Sequence, residues 1–468
     1  MNNVMFKLNR KVVVGLLSLS TLYSVNLNAQ SLEEAVATAL DTHPDIRQSF
    51  ARFKAKEEDV NRAFAGYLPT IDLTAGYGYE YTDTPGYRRS AVDGEDGKTE
   101  LARGEFGISI KQMLFDGMFT SNEVKRTKFE ASAEQWTLIA NAEDLALQVS
   151  KAYLNFLKTE ALIKLAEKNI ASHQEIYDQI KERTDSGLGS IADLSQVTGR
   201  LARAQANMIS ARNNSLDART QFIRLVNMQP KELVLPVPDA DMLPKDKNRG
   251  LELALENHPI IRSAQQDINA AQSFKSSINA SYYPSLSLEV DANSDNDLAG
   301  ESGINRFGTD VGGHRNDATV MLRMRYNLFS GGKDVANKRN AAYKVSEARE
   351  INYSAHRQVT ESYGLAWNAF EMLGLQKNYI KQHIITAKDT QVVYKQQFDI
   401  GQRSLLDLLD TENELFQARQ DYLDAEFNEL SARYRLLNAT GQLLDSLRVT
   451  RSTAWQGEHS YEQGAYNE

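Results

Sequence analysis

Apolar and polar positions along this chain change period in a set order, and the order occurs twice. Residues 45–66 read as a helix closed by Pro69. Strict alternation follows, with Ile71, Leu73, Ala75, Tyr77, Tyr79 and Tyr81 set against Asp72, Thr74, Gly76, Gly78 and Glu80. A period of two with one polar face is a strand that has a different environment on each side. A Gly/Asp-rich loop, Thr82 to Gly104, leads to a second strand in which Ile108 and Ile110 alternate with Ser109 and Lys111. In the second copy the helix is 260–282, closed by Pro284. Leu286, Leu288 and Val290 then alternate with Ser285, Ser287 and Glu289. After a loop from Gly300 to Asp317, Val320, Leu322 and Met324 alternate with Met321, Arg323 and Arg325. The pattern predicts strands at about 70–82, 104–115, 285–297 and 317–329.

Each strand pair is followed by 69 residues without proline, Gly117 to Asp185 and Gly331 to Asp399. In the first, Val149, Phe156, Ile163, Ile170 and Tyr177 recur by sevens, with Ala152, Ala166 and Ile180 at companion positions. In the second, Val359, Ala366, Leu373, Ile380, Ala387 and Tyr394 do the same. Sustained sevens predict a coiled-coil seam, and at 1.5 Å per residue these helices, 117–185 and 331–399, would be about 100 Å long. The return helices, Ile191 to Asn227 and Ser404 to Asn438, together with the upstream helices, nearly match that length. Two shorter helices stacked end to end can therefore line one long helix, which describes the wall of a helical tube.

The duplication is explicit in the residues. Ala39-Leu40-Asp41-Thr42-His43-Pro44-Asp45-Ile46-Arg47 returns as Ala254-Leu255-Glu256-Asn257-His258-Pro259-Ile260-Ile261-Arg262, a shift of 215. Leu114-Phe115-Asp116-Gly117 matches Leu328-Phe329-Ser330-Gly331, and Gly187 with Asp193-Leu194 matches Gly401 with Asp407-Leu408, both at 214. A nearly constant shift over about 200 residues means two copies of one structural unit. The units are 30–242 and 243–450, preceded by a segment 1–29 and followed by a polar tail, 451–468.

Segment 1–29 carries Lys7, Arg10 and Lys11, an apolar run from Val12 to Val25, and Leu27-Asn28-Ala29 ahead of Gln30. That is the order of a cleavable signal peptide. The later chain offers no run of the ~20 apolar residues that a spanning helix needs. If it enters a membrane, it does so as a β-barrel. The 11 residues from Ile71 to Tyr81 fit a tilted spanning strand, with the aromatic face towards lipid. There is no cysteine, which excludes disulfides, thiol chemistry and a lipid anchor on an N-terminal cysteine. The formal charge of −9 includes three cations before Gln30, so the mature chain is close to −12. Nucleic acid is accordingly not an expected partner.

Four strands per chain cannot close a barrel, and open edges are not tolerated in lipid. Several chains must share one barrel. Three would give 12 strands, wider than the eight-stranded size that side chains fill, and Arg323 and Arg325 are candidate lumen-lining residues. The fold class expected is an α+β membrane protein, a duplicated helix-strand-strand-helix unit whose barrel continues into a long α-helical coiled-coil barrel.

Over essentially the whole mature chain these features resemble the TolC family of outer-membrane efflux proteins. The duplicated His-Pro-x-Ile segment, the Tyr-x-Pro before each first strand, the Leu-Phe-x-Gly after each second strand, and Gly401-Gln402-Arg403-Ser404-Leu405-Leu406-Asp407-Leu408-Leu409-Asp410 carry the resemblance. It implies a homotrimer in the outer membrane with a long periplasmic extension, docked to a periplasmic adaptor (membrane fusion) protein and an inner-membrane ABC or other transporter. It further implies a periplasmic gate near the helix-turn tips at Gly187 and Gly401. Asp407 and Asp410 match an acidic ring there, and Arg403 and Asp193 match members of the bonds that hold the helices shut. Two lock positions depart: Ala192 stands where a Thr is expected and Phe398 where a Tyr is expected.

Asp407 and Asp410 lie three apart on one helix face, so three chains would aim six carboxylates at one axis, a ring that attracts cations. They also fit as first-turn acids after Gly401 and Ser404. No catalytic or cofactor constellation stands out. His43 and His258 occupy equivalent repeat positions and read as structural caps, not metal ligands. Gly331-Gly332-Lys333-Asp334 fails as a phosphate loop, because Asn327 and Asp334 occupy positions that need Gly and Ser/Thr. Three functions fit. The first is the exit duct of type I secretion, for an exported protein such as a large adhesin, favoured by the cysteine-free start and the polar tail after Arg451. The second is the exit duct of a tripartite drug or metal efflux pump with small-molecule cargo. The third is a coiled-coil adhesion protein with no pore.

Overall fold

The computed structural model describes residues 30–83, 98–300 and 314–458. The predicted signal peptide, the middle of both strand-connecting loops and the last ten residues of the tail lie outside the described residues. The elements follow the duplicated order. The first copy runs α1 (Leu32–Thr42), α2 (Pro44–Phe64), β1 (Thr70–Asp83), β2 (Lys98–Phe115), α3 (Phe119–Asp185) and α4 (Ile191–Val226). The second runs α5 (Lys247–Asn257), α6 (Pro259–Ile278), β3 (Ser285–Gly300), β4 (His314–Arg325), α7 (Lys333–Asp399) and α8 (Leu405–Ala439), and a one-turn α9 (Leu443–Ser446) follows.

The repeated His-Pro has one job in both copies. His43 closes α1 by giving its N–H to the Ala39 carbonyl (2.8 Å), and opens α2 by accepting from Asp45 N–H at Nδ1 (3.3 Å), with Pro44 at the first helical position. His258 does the same between Ala254 (3.0 Å) and Ile260 (3.3 Å), ahead of Pro259. A ring nitrogen satisfies an orphan N–H of the new helix, and proline sits where no N–H is needed. Both histidines are therefore caps.

The strands form one antiparallel sheet in the order β1-β2-β3-β4. The two hairpins share one register: Thr70 faces Lys111 and Ser285 faces Arg325, the same pair displaced by 215 and 214. Even the hydroxyl contacts repeat, Thr70 Oγ1 to the Lys111 carbonyl at 3.4 Å and Ser285 Oγ to the Arg325 carbonyl at 3.3 Å. β2 and β3 join the copies. β1 and β4 are left as unpaired edges among the described residues.

Several predicted boundaries shift. β2 begins at Lys98 and β3 runs on to Gly300, because backbone pairing persists beyond the stretch where apolar residues alternate. β4 spans His314–Arg325 rather than 317–329, since β3 begins at Ser285 and offers Tyr326 to Phe329 no partner. The long helices start at Phe119 and Lys333, after turns in which Gly117 (φ 70°) and Met118 (φ 69°), then Gly331 (φ 66°) and Gly332 (φ 87°), take left-handed conformations no helix can use.

α2 lies along the first part of α3 and α4 along the rest, as Asn141 to Ser49 (2.8 Å) and Ser215 to Glu160 (2.6 Å) mark. α6 flanks the other side of α3, with Ser277 bonded to Glu123 (2.8 Å) and the Arg262 guanidinium over the Trp136 ring (5.1 Å). Midway along α3 lies the main core, a belt where Leu32, Val36, Phe53, Tyr153, Phe222 and Leu437 are fully buried. Removing a ring such as Phe53 from such a core costs about 3–5 kcal/mol. The C-terminal segment is strapped onto this belt. Buried Glu143 accepts from Leu443 N–H (3.0 Å) and Leu444 N–H (3.3 Å), and Gln135 donates to the carbonyl of buried Trp455 (2.7 Å).

Candidate functional site

Two places in the fold gather the candidate residues: the helix-turn tips and the polar strand face. At the first tip α3 ends in a left-handed Gly187 (φ 75°), with Gly187 N–H to Thr184 (3.0 Å) and Leu188 N–H to Arg183 (2.8 Å). Ser190 then caps α4 through Ala192 N–H (3.1 Å). The second tip repeats it: Gly401 (φ 77°) bonds to Phe398 (3.0 Å), Gln402 to Gln397 (2.8 Å), and Ser404 caps α8. A left-handed residue that returns N–H groups to the last carbonyls is what a reversing helix pair needs, and glycine takes it without strain.

Asp407 is first of all a cap. Its carboxylate accepts from Ser404 N–H (3.4 Å) while Ser404 Oγ accepts from Asp407 N–H (3.2 Å), a reciprocal capping box. Arg403 lies 3.8 Å from that carboxylate, stacks over the Tyr394 ring at 4.3 Å and donates to Gln397 (3.0 Å). Asp410 instead reaches across to α4, where Arg200 donates to it at 2.8 Å. Within one chain, then, Arg403 meets Asp407 and Arg200 meets Asp410. Half-buried Asp193, in the first turn of α4, joins neither pair.

Arg200 escaped the sequence reading. Its repeat counterpart is Glu414, so the duplication gave no sign of it; the only signal was its place seven residues beyond Asp193, two turns along α4. The rest of the joint between the tips is apolar: Ile176, Ile180, Val197, Leu405, Leu408 and Leu409 pack together with Phe398. Phe398 is buried beneath the Arg183 guanidinium (5.3 Å), so the position where a tyrosine hydroxyl was expected serves as a hydrophobic pin. Ala192 is exposed and offers only its N–H. Lys395 of α7 donates to Glu175 of α3 (2.8 Å).

On the sheet, most paired residues sort by side, with Met321 an apolar exception on the polar face and Ser294 and Asn316 polar exceptions on the apolar face. One face carries Ile71, Leu73, Tyr77, Tyr79, Ile108, Ile110, Val290, Leu322 and Met324; the other carries Asp72, Thr74, Arg103, Glu105, Ser109, Lys111, Glu289, Asp291, Asp295, Arg315, Arg323 and Arg325. The polar face is knitted across strands. Arg103 contacts Glu80 (2.7 Å), Glu105 (2.9 Å) and Asp295 (3.4 Å), and Ser109 donates to Asp291 (2.7 Å). Glu289 holds Arg323 and Lys111. Both lumen candidates, Arg323 and Arg325, lie on this side. Tyr77 and Tyr79 on the apolar side are 76% and 69% exposed, part of an exposed apolar patch of the kind that marks an interaction surface.

Among the described residues no helix is long and apolar enough to cross a membrane, and no His/Cys/Asp/Glu group is arranged to hold a metal. The chain is 26% identical over 447 residues to the outer membrane efflux protein BepC of Brucella suis, covering 95% of this chain and 92% of BepC. It is 24% identical to the outer membrane protein TolC of Escherichia coli, over 92% of this chain and 86% of TolC. Among solved structures, the Campylobacter jejuni CmeC outer membrane channel superposes with a TM-score of 0.74 at 16% identity, covering 94% of each chain, and the outer-membrane channel OprN with 0.72 at 18%, covering 88% and 90%. The sequence model of the outer membrane efflux protein family matches twice, at residues 35–228 and 250–442, once in each copy of the duplicated unit. The chain belongs to the outer membrane efflux protein family, and is thus a channel protein of the outer membrane and not an enzyme.

Proposed function

We propose that three copies of this chain form an exit duct, a 12-stranded barrel in outer-membrane lipid continued by a helical tube, which receives cargo from a periplasmic adaptor and an inner-membrane transporter. The observation that carries this is the sheet: four strands, two open edges, one apolar face and one charged face. Such a sheet is stable in lipid only when closed on itself with the charged face inward. The helix-turn tips then stand at the far end of the tube, where Asp407 and Asp410 of three chains form its acidic mouth, and Arg403, Arg200 and Asp193 belong to its closing contacts.

An unfolded polypeptide moving through type I secretion is our first reading of the cargo. It is supported by a polar strand face on which hydroxyls, amides and both signs of charge predominate over a few apolar side chains such as Met321. Small-molecule efflux is the second reading, favoured by relatives such as the toluene efflux pump outer membrane protein TtgF of Pseudomonas putida. Deleting the chain in its host distinguishes them. Loss of one large exported protein with unchanged tolerance to dyes, detergents and antibiotics supports secretion; hypersensitivity with normal protein export supports efflux. If neither changes, the duct reading falls.

A further inference from the structure

The second copy of the unit is docked onto the first along α3 and β2, and the surfaces that correspond to α3 and β2, namely α7 and β4, are open. Ile139 of α3 is 1% exposed against α6, while its repeat-mate Tyr353 on α7 is 61% exposed. Phe115 ends β2 paired with Leu286, but Phe329, its mate, has no strand to pair with and is 82% exposed. We infer that the next copy of this chain docks on α7 and β4 in the register of the internal β2–β3 and α3–α6 joint, so that Met324 faces Ala75, Met321 faces Gly78, and Glu350 pairs with Arg47 of the neighbouring copy. This rests on the trimeric-duct reading and adds the seam's register and residues.

The register follows from the repeat. β2 pairs with β3 so that Ile110 faces Val290, Ser109 faces Asp291 and Gly107 faces Asn293. Moving β2 forward by 214 and β3 back by 215 places Met324 opposite Ala75, Arg323 opposite Gly76 and Met321 opposite Gly78. That translation is sound because the two hairpins already superpose under the same shifts, Thr70–Lys111 onto Ser285–Arg325. It also supplies Phe329 with Ile71 as a partner, which would lengthen β4 to match β2.

Two glycines independently point to the same seam. Glycine inside a strand weakens it, and usually marks crowding or close approach by another group. Yet a Cβ on Gly78 would meet nothing within 4 Å, one on Gly76 would meet only ordinary contacts with Glu105, and neither has a left-handed φ. Among the described residues nothing within the chain calls for glycine there. At the internal joint the Asn293 side chain lies over Gly107, where a Cβ would come within 2.6 Å of Asn293 Oδ1. At the outer seam the large residues sit on β4 and the glycines on β1: Met321 over Gly78 and Arg323 over Gly76. The sizes are exchanged between strands and the fit is retained.

The helices give the ion pair. Arg262 of α6 lies over Trp136 of α3; shifted alike, these become Arg47 and Glu350, both exposed in the single chain. A cation–π contact inside the chain thus corresponds to an opposite-charge pair between chains.

The natural chain has no cysteine, so engineered pairs report without background. Met324→Cys combined with Ala75→Cys, purified in mild detergent and oxidised, is expected to run as a covalent dimer and trimer. Pairing Met324→Cys with Leu73→Cys or Tyr77→Cys should give much weaker bands, because diagonal neighbours stand about 7–8 Å apart. Arg47→Glu should lower the melting temperature of the trimer, with Glu350→Arg restoring it. Strongest cross-linking at Leu73 or Tyr77, or a native-sized trimer with no cross-link at any pair, overturns the register. Failure of Glu350→Arg to rescue overturns the helix pair. A wild-type chain that is monomeric overturns the trimeric duct itself.

Discussion

Arg200 and Asp410 stand 2.8 Å apart and tie the return helix of the first copy to that of the second at the tips. The aspartate is 58% exposed and the arginine 26%, so the pair contributes at most about 1 kcal/mol per chain. In the proposed trimer three such pairs would act on one aperture, enough to shift how often it opens. Arg200→Ala or Asp410→Ala should raise single-channel conductance or open time in planar bilayers. The reversal Arg200→Asp with Asp410→Arg should return it towards the parent value. Closed-state behaviour unchanged in both single variants would remove this pair from the gate.

Asp407 needs different handling, because it both caps α8 and carries charge. Asp407→Ala removes the acceptor for the Ser404 N–H, half of the capping box, at a cost of about 1 kcal/mol, the net worth of one hydrogen bond, and would confuse fold with selectivity. Asp407→Asn keeps a capping side chain and deletes only the charge. Combined with Asp410→Asn it should lower the cation-over-anion permeability ratio and relieve block by divalent cations. An unchanged reversal potential would mean that these carboxylates do not face the axis.

The tip glycines test conformational cost in isolation. Gly187 (φ 75°) and Gly401 (φ 77°) have nothing within 4 Å of an added Cβ. Alanine there should cost only the left-handed strain, about 1–2 kcal/mol. Hydrogen exchange at the tips should quicken while the belt stays protected. Asparagine, which tolerates this conformation, should cost less.

What the sequence made legible was whatever repeats or alternates. Ile71 to Tyr81 announced a two-faced strand and His258 matched His43, so the unit and its caps could be read without coordinates. The end of β4 could not, since Tyr326 to Phe329 have apolar strand-like residues but pairing depends on a neighbour. Nor could Arg200, whose partner is 210 residues away and which has no acidic or basic echo of its own sign in the other copy. In the sequence Phe398 stands out only as a missing hydroxyl; packing against Ile180 and Leu405 shows it as an apolar contact in its own right.

Glu143 and His258 lie outside the membrane-spanning strands and titrate in opposite directions. Burial pushes the Glu143 carboxyl from 4.5 up to about 8. Between those values the folded chain holds one proton more than the unfolded chain, and stability falls as pH rises. Burial lowers His258 from 6.5 to about 4. There the unfolded chain holds the extra proton, so stability falls as pH drops from 6.5 towards 4. Each slope is about 1.4 kcal/mol per pH unit. They cancel between about 4.5 and 6.5, and only the Glu143 slope remains above that. Asp267, which burial raises to about 6, adds to the Glu143 sign at the acidic end. Variants expose each contribution as a difference from the parent in thermal unfolding. Glu143→Gln minus parent should rise with pH up to about 8, on top of a pH-independent loss because an amide oxygen replaces only one of the two acceptors for Leu443 and Leu444. His258→Asn, which can still cap α6, should show a difference that rises as pH falls below 6.5. A flat difference for Glu143→Gln would mean that the carboxylate stays ionised against the α9 amides, with the nearby Arg451 outweighing its desolvation.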